Sequence, residues 1–161
     1  MQEQEQGEGR EILCACATLR KAARSVTQLY DLVLQPAGLK LTQFTALRSI
    51  YEAGELAQWK FARQHGVAVE TLSRRLAALR HRGLVSVRIG GNHGERIYTL
   101  TEGGRDAYMR ALPYWDRAQQ RFRQTLGIVD YQSLLQVCEA SVEAAHEAEQ
   151  LRASNGIATA H

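Results

Sequence analysis

Residues 66–100, GVAVETLSRRLAALRHRGLVSVRIGGNHGERIYTL, constrain the fold more than any other stretch of the chain. With Leu72 set at zero and about 100° per residue, Leu76 and Leu79 fall on one narrow seam of a helix from about Val69 to His81. Thr71, Arg74 and Ala78 point the other way, with Glu70 and His81 near them and Ser73 and Arg75 on the flanks. Gly83 stops the helix. Leu84 to Ile89 alternates and is rich in valine, as a strand should be, and Arg96 to Leu100 reads as its partner. Between them GGNHG is a turn by composition.

A helix that presents a clean polar face, followed at once by a glycine-tipped hairpin, is the build of a winged helix. The helix is shaped for a DNA major groove and the hairpin for the backbone beside it. Charge agrees. Residues 55–100 hold eight Lys/Arg against Glu55, Glu70 and Glu95, a net +5, and leave −2 for the rest of the 161-residue chain. Such a basic segment in a near-neutral chain is the footprint of a nucleic-acid surface, although a solvated basic face would look the same.

Helices are expected on both sides. The first runs from about Ile12 to Gln35, with Ile12, Cys16, Leu19, Ala23, Val26 and Tyr30 on one stripe; Pro36 and Gly38 end it. Thr42 reads as the N-cap of a second helix to about Ala53, and a short third spans about Ala57 to Gln64. A fifth helix from Thr101 to about Leu126 contains Pro113, which should kink it. A sixth covers about Asp130 to Leu151. The apolar stripes of these last two (Ala111, Leu112, Trp115, Ala118, Phe122 and Leu126; Leu134, Leu135, Cys138, Val142 and Ala145) exceed what a compact winged helix needs. The expected fold is therefore mainly α with a small β-hairpin wing. A winged helix-turn-helix at 37–104 is flanked by a helical dimerisation region from 12–36 and 105–151. A disordered head at 1–11 and a flexible tail at 152–161 complete the chain. A dimer suits operator reading, because two recognition helices must sit about one helical turn apart.

No apolar run approaches the roughly 20 residues needed to cross a membrane, and the polar, acidic start is unlike a targeting signal, so a cytoplasmic protein without membrane contact is expected. Three cysteines imply no disulfide framework, and His65, His81, His93, His146 and His161 have no zinc spacing with any cysteine; neither metal nor cofactor is expected.

The segment LYDLVLQPAGLKLTQFTALRSI, the helix from Val69, and the frame RGLV…YTLTEGGR together resemble the MarR-type winged-helix transcriptional regulators over about residues 12–150. The most specific pieces are GL-x-x-TQF from Gly38 to Phe44 and the RGLV…LTEGG frame from Arg82 to Gly104. The resemblance implies a homodimer on a pseudo-palindromic double-stranded operator, usually a repressor released by a small ligand, typically an aromatic or phenolic acid, or by oxidation. One departure concerns the wing. The family commonly carries Asp-Arg-Arg before the second strand, where this chain has Asn92, His93 and Gly94.

Candidate DNA-binding residues are Thr71, Ser73, Arg74 and Arg75 on the helix, with Arg88, His93 and Arg96 on the wing. Arginine forms bidentate contacts with guanine O6 and N7; Arg74 has the better orientation, and Arg75 the flank position suited to phosphate. Ser73 and Thr71 suit phosphates near the helix start. Glu70 could accept from a cytosine amino group or stabilise the helix start. Arg80 and Arg82 read as a solvated or salt-bridged helix end.

Cys14 and Cys16 on one helix would lie about 200° apart and be poorly placed to bond each other. Cys16 sits near a helix N-terminus with Arg20 one turn away, a setting that favours thiolate. The pattern C-x7-R-x2-T-x2-Y at Cys16, Arg24, Thr27 and Tyr30 resembles the OhrR-type hydroperoxide sensors. That makes Cys16 and Tyr30 (the latter reached from the partner subunit) a candidate redox sensor; Arg20 and Leu41 stand where the family has further tyrosines. A small apolar core residue is the plain alternative for Cys16, and a buried core thiol for Cys138. Tyr30, Leu47, Tyr108, Leu112 and Trp115 are candidates to line an inducer pocket, or else plain core. An enzyme is not expected: a thiol-dependent oxidoreductase using Cys14 and Cys16 is the remote alternative, and it lacks a C-x-x-C after a strand.

Overall fold

The computed structural model describes residues 14–90 and 94–158, with side chains as far as Leu151. The acidic head, Ile12, the wing tip with Asn92 and His93, and the last three residues lie outside that set. The chain forms two compact units that divide between Asp116 and Arg117.

In the first unit, α1 (Ala15–Leu34) is followed by a 3-10 turn, Gln35–Ala37. Cys14 has extended backbone and is the N-cap of α1, so the two cysteines do not share a helix and the argument from their helical separation does not apply. The first half of α1 is exposed, including Leu19, and only Tyr30 and Leu34 are buried.

Helix α2 (Leu41–Ala53) starts one residue before Thr42, and Lys40 is its N-cap. The cause is non-local. Asp31 on α1 accepts from Leu41 N at 2.7 Å, and Gln43 reaches back to Lys40 N at 3.0 Å. Two of the orphan amides of the first turn are thus satisfied without Thr42.

A strand that periodicity does not announce, β1 (Glu55–Ala57), precedes α3 (Gln58–Gln64) and α4 (Val69–His81). The wing is β2 (Val85–Gly90) and β3 (Glu95–Leu100). The antiparallel sheet has order β1-β3-β2, pairing Leu56 with Tyr98 and Val87 with Tyr98 from the other side. Leu72, Leu76 and Leu79 close the core beneath α4 together with Phe44, Leu47, Ile50, Phe61, Val85 and Tyr98.

Helix α5 (Glu102–Leu126) runs through Pro113 without a break. Its start explains the TEGG motif. Thr101 Oγ1 donates to Gly83 O at 2.7 Å and accepts from Gly104 N at 3.0 Å, tying the new helix to the end of the old one. A Cβ on Gly104 would lie 1.9 Å from Leu84 O, so only glycine lets the first turn of α5 meet the backbone leading into β2.

In the second unit, the last turns of α5 lead through Gly127, at φ 89°, to α6 (Ile128–Ala158). The helix thus extends beyond Leu151. Phe122 packs edge-on to Tyr131, and Tyr131 Oη donates to Gln119 Oε1. Ile128, Val129, Leu135, Val137, Val142 and Leu151 are exposed, while Leu134 and Cys138 are half-buried.

Among the described residues no helix is long and apolar enough to cross a membrane, and no group of acidic, histidine or cysteine side chains could hold a metal ion.

Candidate nucleic-acid interface

Helix α4 has one sealed side and one open side. Leu72, Leu76 and Leu79 are 2%, 0% and 0% exposed, whereas Glu70, Arg74, Arg75, Ala77 and Ala78 face solvent and Thr71 is half-buried at the rim. Three leucines at four- and three-residue spacing hold the helix by one stripe, which leaves the opposite stripe to function. Arg74 has no hydrogen bond or ion pair among the described residues and lies ready for an external acceptor.

The other helix residues are partly engaged. Arg75 lies beside His65, the C-cap of α3. His65 has its pKa lowered from the usual 6.5, first by partial burial of the ring and then by the Arg75 guanidinium. Its Nε2 hydrogen-bonds Ser49 Oγ at 2.8 Å, and its ring meets Phe61 edge-on. Ser73 donates to Val69 O at 2.9 Å and accepts from Gln58 Nε2 at 2.5 Å. A hydroxyl has a single proton to donate. Ser73 therefore could donate to a phosphate only by releasing Val69.

On the wing, Arg88 and Arg96 differ. Arg88 Nη2 donates to Glu55 Oε2 at 2.6 Å, a bond from β2 to β1 across the sheet. Arg96, opposite Ile89 on β3, is exposed with no such partner among the described residues. His93 is outside the described residues. Arg82, read from the sequence as a solvated or salt-bridged end, is exposed and also donates to Gly38 O at 3.1 Å and Gln43 Oε1 at 3.4 Å, joining the end of α4 to the start of α2. Gln58 and Arg82 are the site-supporting residues that pattern reading missed; each acts over 15 residues or more of chain, and neither carries a local signal.

The five residues considered for an inducer pocket are largely core. Leu47 is fully buried, and Tyr30 and Tyr108 nearly so; Leu112 and Trp115 are half-buried. Phe44 stacks with Tyr108 at 5.5 Å and with Trp115 at 5.6 Å between ring centres, and Arg48 lies over the Trp115 ring. A groove of about 590 Å³ lies elsewhere, lined by residues including Gln28, Asp31, Leu32 and Gln43. Cys14 and Cys16 are exposed. Tyr30 is 14 residues further along α1 than Cys16, about 21 Å on the helix axis, so the two do not meet within one chain.

This arrangement is similar to that of the M. tuberculosis transcriptional regulator MosR, crystallised in complex with DNA. The two are 36% identical, with a TM-score of 0.68 over 80% of this chain and 98% of that one. The chain belongs to the MarR family. The MarR family model matches residues 39–90, from the start of α2 through α4 to the end of β2. The fold is also that of a cysteine-to-serine mutant of MarR from E. coli complexed with operator DNA (20% identity, TM-score 0.73, 81% of this chain and 95% of that one). It is shared as well by BpsR of Bordetella bronchiseptica, described with regulation of its DNA binding by 6-hydroxynicotinic acid (16% identity, TM-score 0.71, the same coverage). A comparison with curated proteins finds no match. MarR-family relatives are DNA-binding transcription regulators, not enzymes, and the oxidoreductase alternative falls with that assignment.

Proposed function

We propose that the protein is a homodimeric, sequence-specific transcriptional repressor. It reads a pseudo-palindromic operator through α4 and the wing and is released by a small aromatic or phenolic ligand. The observation that carries this reading is Arg74, unpartnered among the described residues on the open side of a helix whose other side is sealed. Arg74 takes the guanine edge, Arg75 and Thr71 the adjoining backbone, and Arg96 and His93 the flank reached by the wing; Arg88 stays paired with Glu55 and contributes no phosphate contact of its own. The exposed apolar residues of α1 and α6 suit a second copy. A regulator of this kind works in the cytoplasm, where its operator is.

The test is Arg74→Ala on an operator duplex selected from a randomised pool by the wild-type protein. Losing one bidentate contact should weaken binding by about 1–3 kcal/mol and relax preference at one base pair per half-site. Unchanged affinity and unchanged preference would remove α4 from the reading.

An aromatic ligand seated among the candidate pocket residues would have to part the Phe44–Tyr108–Trp115 stack, and BpsR is a relative whose DNA binding is regulated by 6-hydroxynicotinic acid. A gel-shift screen of phenolic acids tests it: release by none of them counts against this route. The exposure of Cys16 on the first turn of α1 favours a second reading, release by hydroperoxide through Cys16 alone, since Tyr30 is buried in its own chain; E. coli MarR has also been crystallised in an oxidised form. Cumene hydroperoxide should then free the operator from wild type and leave Cys16→Ser bound. Equal release from both sinks the redox route.

A further inference from the structure

Two polar side chains are buried in the described part of the chain, Ser49 and Gln58, at 7% and 9% exposure. Both grip α3, one at each end. Ser49 of α2 hydrogen-bonds His65, the residue that closes α3. Gln58, the first residue of α3, turns its amide to α4, donating to Ser73 Oγ at 2.5 Å and lying 3.5 Å from Val69 O. The buried packing between α3 and α4 is otherwise apolar, built on Phe61, Ala62, Leu72 and Leu76, with Arg75 beside His65 at its exposed edge. Apolar contacts resist separation of two helices but tolerate small rotations, because they have no preferred direction. A hydrogen bond has one. The Gln58–Ser73 bond is thus the directional contact by which α3 can set how α4 is turned about its own axis.

That rotation matters because Ser73 precedes Arg74. A turn of about 10° moves a guanidinium some 6–7 Å from the axis by about 1 Å, enough to spoil a paired donor contact to one base edge. Ser73 Oγ also spends its proton on Val69 O, one turn back. The three groups form a closed chain, amide to hydroxyl to carbonyl, under the open face of α4.

We propose that Gln58 is a positioning residue for base reading: through Ser73 it sets the rotation of α4 and so the direction in which Arg74 leaves the helix. Ser73 serves the same purpose and does not hold phosphate. The inference rests on Arg74 as a base-reading residue and adds what aims it.

The experiment uses the full-length protein, the selected operator duplex, a copy with the Arg74-dependent base pair changed, and a scrambled duplex. Variants are Ser73→Ala, Ser73→Thr, Gln58→Leu, the double variant Gln58→Leu with Ser73→Ala, and Arg74→Ala. Ser73→Ala and Gln58→Leu should each cut the preference for operator over its changed copy about tenfold. Binding to the scrambled duplex and the salt slope should stay as in wild type, since no charge–phosphate contact is lost. Ser73→Thr, which keeps the hydroxyl, should restore preference, and the double variant should be no worse than either single one, because both remove the same bond. Ser73→Ala places a good helix former at a half-buried position and keeps the test open if Gln58→Leu does not fold. A uniform loss on all three duplexes would mean that Ser73 holds phosphate, and full preference in both single variants would mean that the bond aims nothing; either overturns the proposal. If Arg74→Ala leaves preference intact, the base-reading assignment itself has failed. If Arg74→Ala loses preference and the Ser73 and Gln58 variants do not, only the aiming role has.

Discussion

The winged-helix segment and the chain's two terminal helices treat apolar surface in opposite ways. Between β1 and the start of α5, most large apolar side chains turn inward: Leu56, Phe61, Leu72, Leu76, Leu79, Val85 and Tyr98 are buried, Trp59, Val69 and Ile89 are exposed, and polar tethers such as Arg82–Gly38 and Thr101–Gly83 close the gaps. The first half of α1 and most of α6 leave theirs outside, up to 74% exposure for Val129. A segment of the first kind holds its shape on its own contacts. One of the second kind leaves its apolar side chains in solvent, the kind of surface that a second copy would cover under the proposed function. The same chain thus carries one surface that is polar over a sealed core and one that is apolar and exposed; under the proposed function the first meets DNA and the second a second copy.

The contrast can be broken most directly at the exposed apolar surface. Leu135→Asp combined with Val142→Asp places charges where a second copy would bury alkyl groups. Losing two interface anchors costs about 2–4 kcal/mol each, so sedimentation at micromolar concentration should show monomers, with operator binding lost and the urea midpoint of the wing segment little changed. Retention of the dimer would reassign these faces.

On the sealed core the sharpest stress is Gly104→Ala. The added methyl meets Leu84 O, a backbone atom that cannot swing away. Overpacking of this kind costs about 1–3 kcal/mol, read as a lower urea midpoint; an unchanged midpoint would mean that the start of α5 has more room than its geometry shows.

The smallest effect is at His65. Because its folded pKa lies below the usual 6.5, the unfolded chain takes up a proton first as pH falls. Stability from this group is complete above about pH 6.5 and is lost as pH drops through the folded pKa. Wild type should therefore lose stability between pH 7 and 5 faster than His65→Gln. Parallel curves would show that the imidazole titrates alike in both states.

What could be read in advance follows the range of the interactions responsible. Helix α4 was legible to the residue, because Gly83 and the Leu72–Leu76–Leu79 seam are local signals. The strand β1 was not: three residues, Glu55 to Ala57, are strand only because β3 lies alongside. Thr42 reads as a cap, but Asp31 holds the amide of Leu41, ten residues on, and the helix starts there. The candidate interface shows the same division. Arg74 could be placed on the outer face from spacing alone, whereas the partners of Arg88 and Ser73 depend on elements distant in sequence. Tyr30, Leu47 and Tyr108 mark the limit from another side, since periodicity reports that a residue faces inward and is silent on whether it meets a neighbour or a cavity.

The Glu55–Arg88 bond also bears on how binding responds to ionic strength. An arginine that arrives with its own carboxylate presents itself to the duplex as a neutral object, and the wing then displaces fewer condensed cations than its sequence suggests. Cutting the tether with Glu55→Gln should make the fall of log K with log salt steeper by about 0.9 for each half-site. Strand β1, three residues long, would in that sense act as a brake on non-specific attraction to DNA.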